Sequence, residues 1–282
     1  MSAADATAPA APVGPLLVGR GLTVEFGGVR ALDGVDLDVP AGRVVALIGP
    51  NGAGKTTLFN LVSGFYRPTR GAVQFAGRDL TRLAPWRIAR LGILRTFQTL
   101  RLFPALSVLD NALAGRHMHD GGASWQAVLG LPAFAHAEAA SRARAMEALA
   151  RVGLAARAAD EARTLPYGDQ RRLEIARALA AEPRLLLLDE PAAGMNQAER
   201  RPLARLVRDL CERDGLTILV VEHDMRFVAG VADEVVVLDH GVQLARGTPA
   251  QVRSDPRVVE AYLGPTRDPA RIATPPPDGG AS

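Results

Sequence analysis

Lysine is almost missing from this sequence of 282 residues. Lysine and arginine together number 33, and Lys55 is the only lysine among them. A compact ammonium group and a planar guanidinium group differ in shape, hydration and hydrogen bonding. The single exception therefore predicts that position 55 needs the ammonium group itself.

Cysteine and long apolar runs are equally scarce. The only cysteine is Cys211, so no disulfide can form within the chain, and a metal site built from cysteines is excluded. This usage is typical of a protein from a reducing compartment. No stretch reaches the roughly 18 consecutive apolar residues that a membrane-spanning helix needs. The N-terminus has no basic residue before Arg20 and no compact apolar segment, so it does not resemble a secretory signal.

Basic runs are also absent, although the sequence pI is about 9.6. The formal net charge is only +3, and acidic residues are interleaved among the arginines. No run of five or more basic residues occurs. We therefore expect a solvated, arginine-rich surface and no nucleic-acid partner.

The apolar residues that are present predict an α/β fold. Three continuous apolar runs have the length of strands buried on both faces, at 44–48, 185–188 and 217–221. Short strands are predicted within 16–39, and a hairpin is predicted where 235–238 and 242–244 flank Asp239-His240-Gly241. Residues 100–163 are rich in Ala, Leu and Arg at helical spacing and show no strand pattern.

These patterns predict one folded domain between two tails. The tails are Pro-rich and without apolar periodicity, so we expect them to be disordered. The predicted boundaries are a tail at 1–15, a domain at 16–264 and a tail at 265–282. Within the domain we predict a core of 16–97 and 164–264 around a helical subdomain of 98–163.

Residues 49–56 read Gly-Pro-Asn-Gly-Ala-Gly-Lys-Thr, which fits the phosphate-binding pattern G-x-x-x-x-G-K-[ST]. The pattern follows a predicted strand and opens a predicted helix, which is the context that it requires. Glycines let backbone N–H groups turn toward an anion, and the helix directs its positive end at the same point. We therefore predict that this loop binds ATP.

The residues of the loop receive separate roles. Lys55 is predicted to bridge the β- and γ-phosphates, and the Thr56 hydroxyl to ligate Mg²⁺. Thr57 is predicted to contact the α-phosphate. Further nucleotide contacts are predicted at Asn51, Gly52 and Gly54.

Two carboxylates, Asp189 and Glu190, follow the apolar run 185–188 directly. The carboxyl ends of strands in open α/β sheets form the edge where ligands bind. Asp189 is suited to hold Mg²⁺, and Glu190 is suited to act as general base on the attacking water. Beside a phosphate loop, this pair predicts ATP hydrolysis.

Residues 167–179 resemble the signature segment of ABC transporter ATPases, and the resemblance extends over about 16–264. By this resemblance Phe26 stacks on adenine, and Gln98 approaches Mg²⁺ and the attacking water. His223, in Glu-His-Asp, corresponds to the switch histidine that contacts the γ-phosphate. Taken alone, Phe26 would more often be a core residue and His223 an ordinary residue at the end of a strand; the ordered set favours the functional interpretation.

Residues 165–196 and 255–264 look closest to the ATPases of branched-chain amino acid importers. The resemblance implies a P-loop NTPase (RecA-like) core with an N-terminal antiparallel β subdomain and an α-helical insert. It implies a head-to-tail dimer in which Tyr167 and Gly168 face the ATP of the other subunit. It also implies two membrane-spanning permease subunits, a solute-binding protein acting through them, and a peripheral position on the cytoplasmic face of the inner membrane.

The signature segment departs from the usual Leu-Ser-Gly-Gly-Gln of this family. Pro166 offers the partner's γ-phosphate neither a hydroxyl nor an N–H, and Asp169 adds a negative charge near that anion. Asn196 replaces an aspartate that is usual after the acidic pair. We expect a weaker second half-site, in which the helix dipole and the Gly168 N–H contribute more of the contact.

Several alternatives stay open at this point. The chain could serve another importer, for example of urea or a small amide, or a lipid exporter. It could be an ABC ATPase that acts on ribosomes or DNA, or a catalytically weak regulatory partner. The dimer could be a homodimer or a heterodimer with a related ATPase, and the transported solute is set by other chains.

Overall fold

The structure is a computed structural model that describes residues 14–118 and 132–263. An antiparallel sheet comes first in the chain, with the strand order β2-β1-β4-β5. Its strands are β1 (Pro15–Phe26), β2 (Val29–Pro40), β4 (Arg70–Phe75) and β5 (Arg78–Asp79). The short strands expected within 16–39 are two strands of 12 residues each. The alternation of buried and exposed residues breaks within these strands. Shifts of register between β1 and β2 allow both strands to continue there.

The second sheet has six strands in the order β10-β9-β3-β8-β7-β6. They are β3 (Val44–Ile48), β6 (Ile93–Arg95), β7 (Leu185–Asp189), β8 (Thr217–Val221), β9 (Glu234–Asp239) and β10 (Val242–Gly247). All neighbours pair in parallel except β9 and β10, which form the predicted antiparallel hairpin. Every residue of β3, β7 and β8 is buried, as the continuous apolar runs predicted.

The helices within the described part of the chain lie around the six-stranded sheet. They are α1 (Lys55–Val62), α2 (Pro85–Arg90), α3 (Val108–Leu113), α4 (Pro132–Arg151), α5 (Tyr167–Ala180), α6 (Gln197–Glu212), α7 (Met225–Val231), α8 (Pro249–Ser254) and α9 (Pro256–Leu263). Short 3₁₀ helices occupy Ala114–Met118, Ala155–Arg157 and Ala162–Thr164. No helix that the structure describes is both long enough and apolar enough to span a membrane.

Two hydrophobic clusters cover the opposite faces of the six-stranded sheet. Alternate residues of each strand belong to different clusters, since successive side chains of a strand point to opposite faces. Val44, Ala46 and Ile48 pack toward helices α3 to α7, whereas Val45 and Leu47 pack toward α1 and the antiparallel sheet. This division explains why the central strands are apolar throughout.

The predicted helical subdomain is only partly described, because 119–131 lie outside the described residues. Helices α3 and α4 pack against each other and against α5, which begins after the predicted end of the subdomain at 163. Strand β1 begins at Pro15, the last residue of the predicted N-terminal tail. Residues 1–13 and 264–282 also lie outside the described residues, so the predicted domain boundaries stay predictions.

Candidate nucleotide-binding site

The loop between β3 and α1 depends on glycine. Gly52 and Gly54 have φ of 82° and 99°, a region that favours glycine. A Cβ added to Gly54 would lie 2.6 Å from the carbonyl oxygen of Ala31, whereas one added to Gly52 would meet nothing within 4 Å. At Gly49 an added Cβ would lie 2.1 Å from the carbonyl oxygen of Leu238. The loop is therefore packed closely at its ends and open at Gly52, as a phosphate cradle requires.

Lys55 is the first residue of α1, and its side chain folds back over this loop. The Nζ donates hydrogen bonds to the carbonyl oxygens of Gly49 at 2.6 Å and Pro50 at 2.8 Å. Burial lowers the pKa of the Lys55 ammonium, while the nearby charge of Glu190 acts in the opposite direction. Thr56 is exposed and Thr57 half-buried at the N-terminus of the same helix.

Asp189 ends β7, and it is paired with an arginine that the sequence did not single out. Arg95 Nη2 donates to Asp189 Oδ2 at 2.7 Å, and both side chains are only 9% exposed. Arg95 Nη1 donates to Asn60 Oδ1 at 2.7 Å and to Ser63 Oγ at 3.1 Å, both near the end of α1. Arg95 therefore connects the helix that follows the phosphate loop to the strand that carries Asp189.

The Arg95 guanidinium also lies among three aromatic rings. Its carbon is 5.5, 6.0 and 5.3 Å from the ring centroids of Phe59, Phe65 and Phe97. At these distances the ring faces attract a cation. The rings therefore add to the hydrogen bonds that hold the guanidinium.

Glu190 follows Asp189 in a strained conformation. Its φ of 46° lies in the left-handed region, which a residue with a side chain adopts at an energetic cost. Its backbone N–H donates to the carbonyl oxygen of Val221 at 3.0 Å. Gln98 Nε2 donates to Glu190 Oε2 at 2.8 Å. The structure thus brings together Gln98 and Glu190, for which the sequence predicted neighbouring roles.

His223 follows the neighbouring strand β8, and its side chain is 58% exposed. The residue before it, Glu222, is buried and accepts hydrogen bonds from the backbone N–H groups of Ala192 at 2.9 Å and His223 at 3.1 Å. Burial raises the pKa of Glu222, and these backbone hydrogen bonds act against it. No role was predicted for Glu222 from the sequence, although a carboxylate directly after a buried strand was the available signal.

Phe26 lies at the end of β1 with its side chain toward solvent. The residue is 47% exposed, and its ring meets the edge of the Tyr66 ring at a centroid distance of 5.1 Å. Asn51 and Gly52 are also exposed. An exposed aromatic ring can serve as a platform for a planar base.

The signature segment opens α5, and its unusual side chains are engaged within the chain. Pro166 stands at the N-cap of α5 without a side-chain hydrogen bond. Asp169 forms ion pairs with Arg172 at 2.6 Å and Arg157 at 3.6 Å. The predicted negative charge next to the second half-site is therefore countered by arginines of the same chain.

The neighbouring residues of the segment are also in contact with the chain itself. Tyr167 donates its hydroxyl to the carbonyl oxygen of Ala193 at 3.0 Å, and Gly168 is buried against Glu199. Asn196 caps α6, because its side chain accepts from the Glu199 N–H at 3.0 Å and its own N–H donates to Glu199 Oε2 at 2.9 Å. An asparagine in place of the usual aspartate therefore serves as a helix cap.

The donor groups fit a magnesium ion that binds together with a phosphate group. Within the described ranges, no three His, Cys, Asp or Glu side chains are placed to hold a metal on their own. Mg²⁺ usually takes one or two protein ligands and completes its octahedron with phosphate oxygens and water. The Thr56 hydroxyl and the Asp189 carboxylate are ligands of that kind.

Comparison with known proteins places this site in a family. The model of the family described as ABC transporter matches residues 32–193. The chain belongs to the ABC transporter family. A second model, of the branched-chain amino acid ATP-binding cassette transporter, matches residues 243–264 of this cassette.

Relatives of the cassette match over nearly their whole length. The high-affinity branched-chain amino acid transport ATP-binding protein LivG of Salmonella typhimurium is 45% identical over 250 residues, which are 89% of this chain and 98% of LivG. A nucleotide-free ATP-binding cassette from an ABC transporter has a TM-score of 0.78 at 32% identity, with 89% of this chain and all of that chain covered. The dimeric structure of the bacterial cassette MJ0796 has a TM-score of 0.66 at 26% identity, with 83% and 98% covered.

These matches confirm the predicted family and the predicted fold class, a P-loop core with an antiparallel β subdomain. The cassette is an ATPase of the ABC type, and ATP is its ligand. The roles predicted for individual residues stay predictions, which the contacts described above support to different degrees.

Proposed function

We propose that this cassette is the ATP-hydrolysing motor of an importer for branched-chain amino acids. The observation that carries the hydrolytic part is the 2.8 Å hydrogen bond between Gln98 and Glu190 at the sheet edge that also holds Asp189. The solute class is supported by LivG, whose name states branched-chain amino acid transport, and by the matching C-terminal family model.

The nucleotide is held by the residues that the sequence singled out. Phe26 stacks on adenine, and the backbone of Asn51, Gly52 and Gly54 surrounds the phosphates. Lys55 turns from the Gly49 and Pro50 carbonyl oxygens toward the β- and γ-phosphates. Thr57 contacts the α-phosphate.

Thr56, Asp189 and Gln98 would hold Mg²⁺, which would neutralise charge on the phosphate oxygens. Arg95 keeps one carboxylate oxygen of Asp189 occupied, so the other oxygen is left for the ion or for a water bound to it. Because Arg95 also contacts α1, Thr56 and Asp189 are held in a fixed relation across the site.

Glu190 acts as the general base. It accepts a proton from the water that attacks the γ-phosphorus, and the bond between that phosphorus and its bridging oxygen breaks to release ADP. Gln98 holds the carboxylate through Nε2 and orients the same water. His223, which is open to solvent, contacts the γ-phosphate.

The working form is a head-to-tail dimer, homomeric or with a related ATPase. Tyr167 and Gly168 at the start of α5 face the ATP of the other subunit. The existence of a dimeric structure for the related cassette MJ0796 supports this arrangement. Two membrane-spanning permeases and a solute-binding protein complete the importer, and the cassette is a peripheral subunit on the cytoplasmic face of the inner membrane.

The substitution Glu190→Gln tests this proposal. We expect ATP binding to persist and hydrolysis to fall roughly 10²- to 10⁴-fold, because the variant cannot accept the proton. The matched control is Glu138→Gln, which changes an exposed carboxylate on α4 and should leave turnover unchanged. Turnover at the parental rate in Glu190→Gln would remove Glu190 from its role.

Uptake measurements test the solute. Cells that depend on this cassette should accumulate radiolabelled leucine, isoleucine or valine with the parental protein and lose that uptake with Glu190→Gln. Uptake of urea instead of these amino acids would overturn the solute assignment and leave the hydrolytic role intact.

A further inference from the structure

Arg171 lies one turn into α5, and its guanidinium group donates hydrogen bonds to a distant segment of the chain. Its side chain is 6% exposed, and Nη1 donates to the carbonyl oxygen of Phe97 at 3.1 Å. Nη2 donates to the carbonyl oxygen of Gln98 at 2.6 Å. The guanidinium fork therefore holds two successive carbonyl groups of the segment that carries the Gln98 side chain.

A buried carboxylate supports Arg171 from the same helix. Glu174 is 2% exposed, and its Oε2 lies 3.2 Å from Arg171 Nη1. Its Oε1 accepts the backbone N–H of Arg101 at 2.9 Å. Arg177, one turn further along, donates to the carbonyl oxygen of Arg101. Three side chains of α5 thus hold residues 97–101 at separate backbone groups.

The same arginine also reaches the loop after Glu190. Arg171 Nε and Nη2 donate to the Tyr167 hydroxyl at 3.1 and 2.8 Å, and that hydroxyl donates to the Ala193 carbonyl oxygen at 3.0 Å. Gln98 and Glu190, which meet at 2.8 Å, are therefore both connected to one guanidinium group through the backbone beside them.

We propose that Arg171 is a positioning residue for hydrolysis, which sets Gln98 against Glu190 and couples both to α5. A planar fork with several donors suits this task, because it fixes direction as well as distance. A displacement of about 1 Å in a catalytic group can cost 100-fold in rate. Since α5 opens with the signature segment, the position of that segment is transmitted to the Gln98–Glu190 pair. This inference rests on the proposed role of Glu190.

The substitution Arg171→Lys tests the inference. Lysine keeps the positive charge next to Glu174, but its single ammonium cannot reproduce the fork to Phe97 and Gln98. We expect kcat to fall roughly 10-fold to 100-fold while KM for ATP stays within about twofold. Arg205→Lys, at an exposed position on α6, is the matched control and should leave both constants unchanged.

A double-mutant cycle separates positioning from general stability. If Arg171 acts through Gln98, then Arg171→Lys should change kcat less than about twofold in a Gln98→Ala background. An equal fall of kcat in the parental and the Gln98→Ala backgrounds would overturn the inference. A loss of ATP affinity parallel to the loss of kcat would also overturn it. Should the lysine variant fail to fold, the same cycle with Tyr167→Phe decides the question by the same criterion.

Hydrogen exchange of the nucleotide-free chain gives a readout without hydrolysis. Amides in 97–101 should exchange faster in Arg171→Lys than in the parent, whereas β3 should keep its protection. Unchanged exchange in 97–101 would contradict the inference. A parental protein that does not hydrolyse ATP would instead contradict the proposed function, so the two failures are distinguishable.

Discussion

The phosphate loop and the signature segment each lie at the beginning of a helix, yet they are held in different ways. In the phosphate loop, Lys55 bonds to Gly49 and Pro50, which lie six and five residues away in the chain. In the signature segment, Tyr167 bonds to Ala193, 26 residues away, and Arg171 bonds to Phe97, 74 residues away. The first is a local structure, and the second is a junction between distant segments.

The two helix starts therefore differ in how far their sequences can vary. The phosphate loop needs its glycines and its lysine because, in the proposed function, the loop itself makes the ligand contacts. The signature segment can depart from the usual pattern because its side chains also serve contacts within the chain. Asp169 is an example, since its charge is countered by Arg172 and Arg157.

The largest expected effect comes from the arginine that joins the phosphate-loop helix to Asp189. Arg95→Met leaves the buried Asp189 carboxylate unpaired, and we expect the free energy of unfolding to fall by about 3–5 kcal/mol. Denaturant unfolding measures this change. The control is Arg30→Met, which removes exposed ion pairs with Glu25 and Asp33 and should cost less than about 1 kcal/mol. A similar fall in the free energy of unfolding for the two variants would show that Arg95 does not hold Asp189 and α1 together.

A smaller effect is expected on the signature side. Pro166→Ser supplies a hydroxyl at the N-cap of α5, and a hydrogen bond to a charged phosphate is worth about 1.5–3 kcal/mol. We expect ATP-dependent dimerisation to tighten by roughly tenfold or more, as analytical ultracentrifugation would measure. If the variant dimerises no more tightly than the parent, the contacts of Tyr167 and Arg171 already determine the geometry of this segment and Pro166 is not its weak point.

The smallest expected effect concerns the loop after Glu190. Glu222 holds this loop by accepting a hydrogen bond from the backbone N–H of Ala192. Burial raises the pKa of Glu222, so the folded protein binds its proton more tightly than the unfolded chain does. The stability from this group is complete at acid pH and is lost as the pH rises through the raised pKa. Relative to the parent, Glu222→Gln should therefore gain stability as the pH rises above 4.5, the ordinary value of this group.

Thermal unfolding of Glu222→Gln and of the parent, at a series of pH values above 4.5, measures this difference in stability. Glu138→Gln makes the same change at an exposed position on α4 and is measured beside it. A difference between Glu222→Gln and the parent that does not change with pH would mean that Glu222 has no raised pKa in the folded chain.

The same contrast explains what the sequence could predict. The strands at 44–48 and 217–221, the terminal hairpin and the phosphate loop rest on local patterns, and the structure has them where they were predicted. Arg95 and Arg171 were missed because their roles come from distant partners; Arg95 and Asp189, for example, are 94 residues apart. Parallel pairing of β6 with β7 brings these two together, and the strand order of the sheet could not be read from one sequence.

In the signature segment, the sequence identified the motif but not its contacts within the chain. The resemblance predicted that Tyr167 faces the ATP of another subunit, and the structure shows its hydroxyl bonded to Ala193 and Arg171 of the same chain. The contact with the other subunit remains a prediction. A motif with unusual residues identified the segment, but only the packing of α5 showed what those residues contact.

ATP affinity after replacement of Lys55 shows whether the phosphate loop is the nucleotide site. Equilibrium binding of Mg-ATP should weaken roughly 10-fold to 100-fold in Lys55→Met, since a charge-assisted contact to phosphate is lost. Lys55→Arg should also weaken binding, because the larger, planar guanidinium cannot replace a compact ammonium between the β- and γ-phosphates. Folded Lys55→Met protein that binds ATP as tightly as the parent would contradict the account.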